Sequence, residues 1–238
     1  GLRDDRVVSA PVDSRADRRF FERRPIGRSL EGSQPWISHV SIVDLDQDGF
    51  TDVVLCDATM NQVSWIRQEA GGSFTERPLG DTILAPAHVT PSDVDLDGDI
   101  DLLVAKMGAI LPNNDKIGSV VVLENDGQEG FTTRILLDDL ARVTDIEPGD
   151  FDGDGDIDLV VGQFGYDDGE IRWMENLGDW NFESHDLLAL SGTIHTPVGD
   201  LDGDGDLDIA AVVSQEWEEI YVFENDGKGM FDRHLVYG

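Results

Sequence analysis

The most informative segment of this chain is Asp150-Phe151-Asp152-Gly153-Asp154-Gly155-Asp156-Ile157-Asp158-Leu159-Val160-Val161. Acids stand at positions 1, 3, 5 and 9 of the loop, a glycine follows the third acid, and an apolar run comes next. The same pattern recurs at 44–52, 93–101 and 200–208 with all four acids and the glycine kept. Carboxylates this close repel one another unless a cation is bound, and alternating oxygen donors suit Ca²⁺. One such turn is usually only a solvated turn, but four with the same spacing predict an array of calcium loops.

The four loops are spaced at a nearly constant interval. They begin at 44, 93, 150 and 200, which gives spacings of 49, 57 and 50 residues. A period near 50 is typical of solenoids and propellers. Each unit has the same order: a strand before the loop, a strand after it, a third strand, a turn, and a fourth strand that begins with Phe. Four antiparallel strands per repeat predict an all-β fold of β-propeller blades.

The turns between the third and fourth strands support this interpretation over a helical one. Two of them read Glu124-Asn125-Asp126-Gly127 and Glu224-Asn225-Asp226-Gly227, and Asn or Asp followed by Gly between β-rich runs is a hairpin signal. A helical EF-hand requires a bidentate Glu at loop position 12, where all four copies of this chain carry an apolar residue. The flanking runs also lack a helical period.

The pattern from Gly149 to Val161 resembles the FG-GAP/VCBS repeat family, whose repeats form the β-propeller of integrin α subunits and of many secreted bacterial proteins. The resemblance covers residues 20–238. It implies that about four Ca²⁺ ions are held in the loops between the first and second strands of the blades. The implied ligands are the acids at positions 1, 3, 5 and 9 and the backbone carbonyl at position 7. In this sequence they are Asp44, Asp46, Asp48, Phe50 and Asp52; Asp93, Asp95, Asp97, Asp99 and Asp101; Asp150, Asp152, Asp154, Asp156 and Asp158; and Asp200, Asp202, Asp204, Asp206 and Asp208.

The family typically closes a ring of about seven blades, and this chain holds four whole repeats and one leading strand. We expect an Arg-rich N-terminal tail at 1–19 and blades over 20–238. The leading strand occupies 20–30, and the repeats occupy about 31–80, 81–138, 139–190 and 191–238. The surplus strand belongs to an earlier blade, which predicts that the chain is part of a larger propeller. A self-closed ring of four blades is the alternative.

The charge of the chain limits its partners. Fifty acids against 17 bases give a net charge of −33, and four Ca²⁺ ions would add eight positive charges and leave −25. This surplus argues against a nucleic-acid partner, because phosphate binding needs a basic surface. No stretch approaches the roughly 20 apolar residues of a membrane span. We expect an extracellular or periplasmic protein that meets a protein or glycan partner and packs against further blades or another subunit.

A second candidate site lies five residues before the first Asp of each loop, at His39, His88, Asp145 and His195. Three of the five histidines thus share one repeat position, at the start of the innermost strand. That position is about 16 Å from the calcium loop and near the mouth of the central channel. Either each His bonds the backbone of a neighbouring blade, or the four residues hold a cofactor, ligand or metal. A ring of seven blades is expected to spread them too widely for one ion.

Two function classes remain open from the sequence. The first is a calcium-binding, non-catalytic interaction or scaffold module of a secreted or periplasmic protein or complex. The second is an enzyme or cofactor-bearing subunit, for example a polysaccharide-degrading one, whose site lies at the channel mouth. The sequence shows no nucleophile elbow, phosphate loop or zinc-type Cys/His cluster, so we assign no catalytic residue.

Overall fold

The computed structural model describes residues 25–27, 34–111, 113–215 and 218–238. The predicted tail at 1–19 lies outside the described residues. So does the predicted leading strand at 20–30, apart from residues 25–27, which are not in a strand. No described segment forms a helix long and apolar enough to span a membrane.

The described residues form four antiparallel sheets, one for each repeat, and no helix. Blade 1 contains β1 (Ile37–Val43), β2 (Asp52–Asp57), β3 (Gln62–Gln68) and β4 (Phe74–Leu79). Blade 2 contains β5 (Pro86–Ser92), β6 (Asp101–Lys106), β7 (Gly118–Asn125) and β8 (Phe131–Leu140). Blade 3 contains β9 (Val143–Gly149), β10 (Asp158–Gln163), β11 (Glu170–Asn176) and β12 (Phe182–Leu188). Blade 4 contains β13 (Thr193–His195), β14 (Val198–Gly199), β15 (Asp208–Ser214), β16 (Glu218–Asn225) and β17 (Phe231–Tyr237). The prediction of all-β, blade-like repeats is therefore confirmed.

The hydrophobic core lies between successive blades. Alternate side chains of a strand point to opposite faces, so the apolar second and third strands of each blade supply residues to both neighbours. Trp65 of blade 1 packs with Leu102 of blade 2, and Trp173 of blade 3 packs with Phe223 of blade 4. A third cluster joins blades 2 and 3. Cys56, the sole cysteine of the chain, is fully buried between blades 1 and 2. Stacking of blades is thus the main source of apolar burial.

The first blade has no blade before it among the described residues. Val40 on β1 is 48% exposed, whereas its equivalents Val89 on β5 and Ile146 on β9 are 0% and 1% exposed. The preceding blade covers Val89 and Ile146. Val40 and the neighbouring Ile42 lack such a cover.

The last blade shows the complementary open face. Ile220 on β16 is 37% exposed, and its equivalents Val63, Val120 and Ile171 are fully buried against the following blade. Blades 1 and 4 do not pack on each other in the described part of the chain. The four blades form an open arc, so the alternative of a self-closed ring of four blades is not observed.

Candidate functional site

The last carboxylate of each calcium loop is a buried anchor. Asp52, Asp101, Asp158 and Asp208 are at most 1% exposed. In loop 3, Oδ2 of Asp158 accepts the N–H of Phe151 at 3.2 Å, and Oδ1 accepts the N–H of Asn176 at 2.7 Å. The other three loops repeat this pair of bonds. Each anchor thus ties the start of its loop to the end of the third strand of its blade.

The acids of each loop converge on one point. In loops 2, 3 and 4, carboxylate oxygens from positions 1, 3 and 9 lie within 4.8 Å of one another, and in loop 1 those from positions 1, 3 and 5 do. In all four loops, the carboxylate at position 5 accepts the N–H of position 7. The side chains of Asp99 and Asp206 at position 7 lie against the turn glycines Gly127 and Gly227. A ligand role for the position 7 carbonyls stays a prediction.

These loops fit the calcium ion that the resemblance implies. Their donors are hard oxygens, the class that Ca²⁺ prefers. Oδ1 of Asp93 is buried and has no hydrogen-bond partner among the described residues. Burial raises the pKa of Asp101 to about 6, and it does the same to Asp158. Buried, mutually repelling carboxylates are costly, and a bound cation removes that cost.

Loop 1 differs from the other loops because an arginine lies on its carboxylates. Nη2 of Arg67 is 2.6 Å from Oδ2 of Asp46 and 3.1 Å from Oδ2 of Asp48, and Nη1 is 2.8 Å from Oε1 of Glu129. The guanidinium thus supplies an internal positive charge at this loop. The equivalent residues in the other blades are acidic: Glu124, Glu175 and Glu224.

The second candidate site is built on the four inner strands, at the end opposite the calcium loops. His39, His88, Asp145 and His195 occupy the same place on β1, β5, β9 and β13, directly after a shift in strand register. A bulge redirects the side chain that follows it. The four predicted residues therefore share one structural position.

The structure brings these four residues together, and two of the histidines contact the carboxylate of Asp145 directly. Oδ2 of Asp145 is 2.7 Å from Nδ1 of His195, and Oδ1 is 3.1 Å from Nδ1 of His88. The ring centroids of His39 and His88 are 3.6 Å apart, and Nδ1 of His39 accepts the N–H of Val89 at 3.3 Å. The expectation of a wide spread was made for a ring of seven blades; in this arc of four blades, donor atoms of His88, Asp145 and His195 lie within 4.8 Å of one another. Neighbouring inner strands run close enough for side chains of three blades to meet.

A glutamate that the sequence analysis missed completes the group. Glu147 lies two residues after Asp145 on β9, and donor atoms of His88, Asp145, Glu147 and His195 all lie within 4.8 Å of one another. We call these four residues the inner-strand cluster; His39 is not part of it. Blades 1 and 2 carry Ser41 and Thr90 at the position of Glu147. Glu147 could have been recognised from the sequence, because it is a carboxylate at a repeat position where blades 1 and 2 have hydroxyl side chains.

The electrostatics of this cluster follow from burial and close charges. Burial lowers the pKa of His88 to about 4, and the hydrogen bond with Asp145 raises the pKa of His195. Burial, with the charge of Asp145 as a second cause, raises the pKa of Glu147 to about 7. The cluster therefore combines a neutral imidazole, an imidazole paired with a carboxylate, and two acids.

Comparisons with known proteins give one similar solved structure and one matching repeat profile. A solved structure described as that of a candidate gluconolactonase aligns with a TM-score of 0.46 at 14% identity, over 78% of this chain and 60% of that one. This chain thus spans about 60% of the length of that structure. No curated protein sequence matches the chain. The sequence profile of the FG-GAP-like repeat matches residues 44–104, 93–161 and 150–211, which together cover most of the chain. The chain therefore belongs to the FG-GAP-like repeat family.

Proposed function

We propose that this chain is a calcium-binding β-propeller segment that acts as a non-catalytic interaction or scaffold module of a secreted or periplasmic protein or complex. One observation carries the proposal: each of the four blades presents a group of three acids at the same end of the molecule. The buried anchor Asp is common to all four loops and prearranges the groups. Ions bound there stabilise the loops that such a module displays.

The proposal assigns the tightest binding to loops 2, 3 and 4. Each of these loops has an acid at the position of Arg67, so no guanidinium from that position lies on its carboxylates. In loop 1, Ca²⁺ has to displace the guanidinium of Arg67 from Asp46 and Asp48. We therefore expect three tight ions and a weaker fourth.

The proposed partner of the open blade faces is another blade of the same kind, from further chain or from another subunit. The exposed Val40 and Ile220 stand where blade-to-blade contacts bury Val89 and Ile171 elsewhere in the arc. A matching blade would bury them in the same way. A protein or glycan would then meet the loops that remain free.

Thermal unfolding with and without calcium tests the proposal. A ligand at 100 times its Kd stabilises the native state by about 2.7 kcal/mol per site, roughly 5–10 °C for a chain of this size. EDTA should therefore lower the melting temperature by at least that amount. Ca²⁺ should restore it better than Mg²⁺, which demands a smaller octahedral site.

A pair of single substitutions locates the effect in the loops. Asp152→Ala removes one acid of loop 3 and should abolish one tight site and part of the calcium-induced stabilisation. Asp186→Ala removes an exposed acid of β12 that lies outside the loops and should leave both unchanged. A melting curve of the original chain that is identical in EDTA and in calcium would refute the proposal.

A second candidate function is favoured by the inner-strand cluster. Two imidazoles and two carboxylates from three blades converge at the end of the inner strands, near the predicted channel mouth. This arrangement supports an enzyme or cofactor-bearing subunit whose site is there. Loss of a bound cofactor and of any associated activity on substitution of His195, with the calcium loops intact, would distinguish it from the first.

A further inference from the structure

The inner-strand cluster contains a buried carboxylate oxygen that receives no hydrogen bond. Asp145 is fully buried. Its Oδ2 is well satisfied, because it lies 2.7 Å from Nδ1 of His195 and accepts bonds from the backbone N–H of Thr196 at 2.5 Å and the Thr196 hydroxyl at 3.1 Å. Its Oδ1 has no hydrogen-bond partner among the described residues. An unsatisfied buried carboxylate oxygen is costly and indicates a missing positive partner.

His88 does not satisfy that oxygen by itself. Its Nδ1 is 3.1 Å from Oδ1 of Asp145 and also 3.1 Å from Oγ1 of Thr90, whose hydroxyl donates to the carbonyl of Ile146. A protonated Nδ1 can therefore donate to Thr90 and leave Asp145 unpaired. An unprotonated Nδ1 points a lone pair toward the carboxylate. A cation between the two atoms satisfies both.

Glu147 adds a second carboxylate to the same place. It lies on β9 two residues from Asp145, and residues two apart on a strand share a face. Two acids held this close repel each other, and the ionisable group in shortest contact with Asp145 is the imidazole of His195, 2.7 Å from Oδ2. The excess of negative charge favours a doubly charged ion over a proton alone.

We propose that His88, Asp145, Glu147 and His195 form a binding site for one divalent first-row transition metal, with Zn²⁺ as the simplest case. Two nitrogen and two oxygen donors suit such ions, whereas Ca²⁺ prefers oxygen donors alone. Zinc bonds of about 2.0–2.2 Å place tetrahedral donors about 3.5 Å apart. All donors already lie within 4.8 Å of one another, so the most distant pair needs to close by at most about 1 Å. The side chain of His195 is 48% exposed, so it is not enclosed by packing on every side.

The ligands come from β5, β9 and β13, so one ion would join the inner strands of three successive blades. His39 acts as a positioning residue in this arrangement. Its ring packs against that of His88 at an interplanar angle of 38°, and its Nδ1 accepts the backbone N–H of Val89. The site is independent of the calcium loops, which lie at the opposite end of the inner strands.

Titration calorimetry with Zn²⁺ tests the site. The protein is first saturated with Ca²⁺, so that the four calcium loops are already occupied. We expect one equivalent of Zn²⁺ to bind. His195→Ala and Glu147→Gln each remove a partly exposed ligand and should weaken binding by about 10–100-fold or more. His234→Ala on the outer strand β17 is the matched control and should bind Zn²⁺ as the original chain does.

Histidine NMR signals of the unaltered chain provide a second measurement that does not depend on the folding of a variant. Added Co²⁺ should broaden the ring signals of His88 and His195 and leave those of His185 and His234 unchanged. The proposal is overturned if the calcium-saturated chain binds no Zn²⁺. It is also overturned if His195→Ala and Glu147→Gln bind Zn²⁺ as tightly as the original chain, since the ion is then adventitious.

Discussion

Arg67 shows at the residue scale how one substitution changes a repeated site. It is placed on β3 where the other blades carry glutamate, and its guanidinium pairs with Asp46 and Asp48 of loop 1. The guanidinium of Arg67 is part of the chain and competes with a Ca²⁺ ion from solution for these carboxylates. Burial of a charge without its partner is unfavourable, so the loop acids contact either Arg67 or a metal.

Arg67→Glu should convert loop 1 into a site like the other three. We expect the number of tightly bound Ca²⁺ ions to rise from three to four, measured by titration calorimetry with a fluorescent chelator as competitor. Arg77→Glu makes the same charge change on the neighbouring strand, where Arg77 contacts Trp65 and Glu129 and not the loop, and should leave the number at three. Four equally tight sites in the original chain would contradict this assignment.

At the scale of elements, the turn between the third and fourth strands also fixes the calcium loop. The side chain of Asn176 donates to the carbonyl of Ile157 at 3.0 Å and accepts the N–H of Gly178 at 3.0 Å. Asn125 makes both equivalent bonds in blade 2, and Asn225 makes the donated bond in blade 4, to the carbonyl of Leu207. The Asn that marks the hairpin in the sequence therefore also hydrogen-bonds the residue before the anchor Asp.

Asn176→Ala should destabilise the blade and loosen its calcium loop. The change leaves the carbonyl of Ile157 without this bond, which costs about 1–3 kcal/mol. We expect a melting temperature lower by roughly 2–10 °C in calcium, and weaker Ca²⁺ binding at one site. Gln68→Ala in blade 1 is the control, because Gln68 contributes its backbone N–H to Asp52 and that bond survives the substitution. Equal losses in both variants would show that the side-chain tie has no role.

At the scale of the whole molecule, the open arc leaves apolar surface at both ends. Val40 and Ile42 are exposed on blade 1, and Ile220 and Tyr237 are exposed on blade 4. Residues at the positions of Val40 and Ile220 are buried wherever a neighbouring blade is present. Exposed apolar patches of this kind promote association.

The purified chain should therefore associate in a concentration-dependent way, as measured by sedimentation velocity. Ile220→Glu places a charge in the open face of blade 4 and should weaken association by about tenfold or more, which corresponds to about 1.4 kcal/mol. Ile135→Glu is the control, because Ile135 is 56% exposed on β8 of blade 2, away from both ends of the arc. A monomer at every concentration would count against an uncovered blade face.

The family, the all-β blades and the positions of the loops could all be predicted from the amino-acid sequence. These features follow from local patterns: acids at fixed spacing, apolar runs of strand length, and turn residues such as Asn225 and Gly227. The sequence also predicted that His39, His88, Asp145 and His195 share one repeat position. In the structure, each of them follows a β-bulge at the same place in its inner strand. Repetition makes such inference strong, because each unit is an independent instance of one pattern.

Which side chains meet could be seen only once the blades were assembled in three dimensions. The tertiary structure brought His88, Asp145, Glu147 and His195 together and left His39 as a neighbour, although Asp145 and His195 are 50 residues apart in the chain. It placed Arg67 on loop 1, and it showed that the arc is open. Contacts between blades depend on the curvature of the arc and on the direction in which each bulge turns its side chain. Neither is encoded in the local periodicity that predicts a strand, so the sequence pattern alone does not specify them.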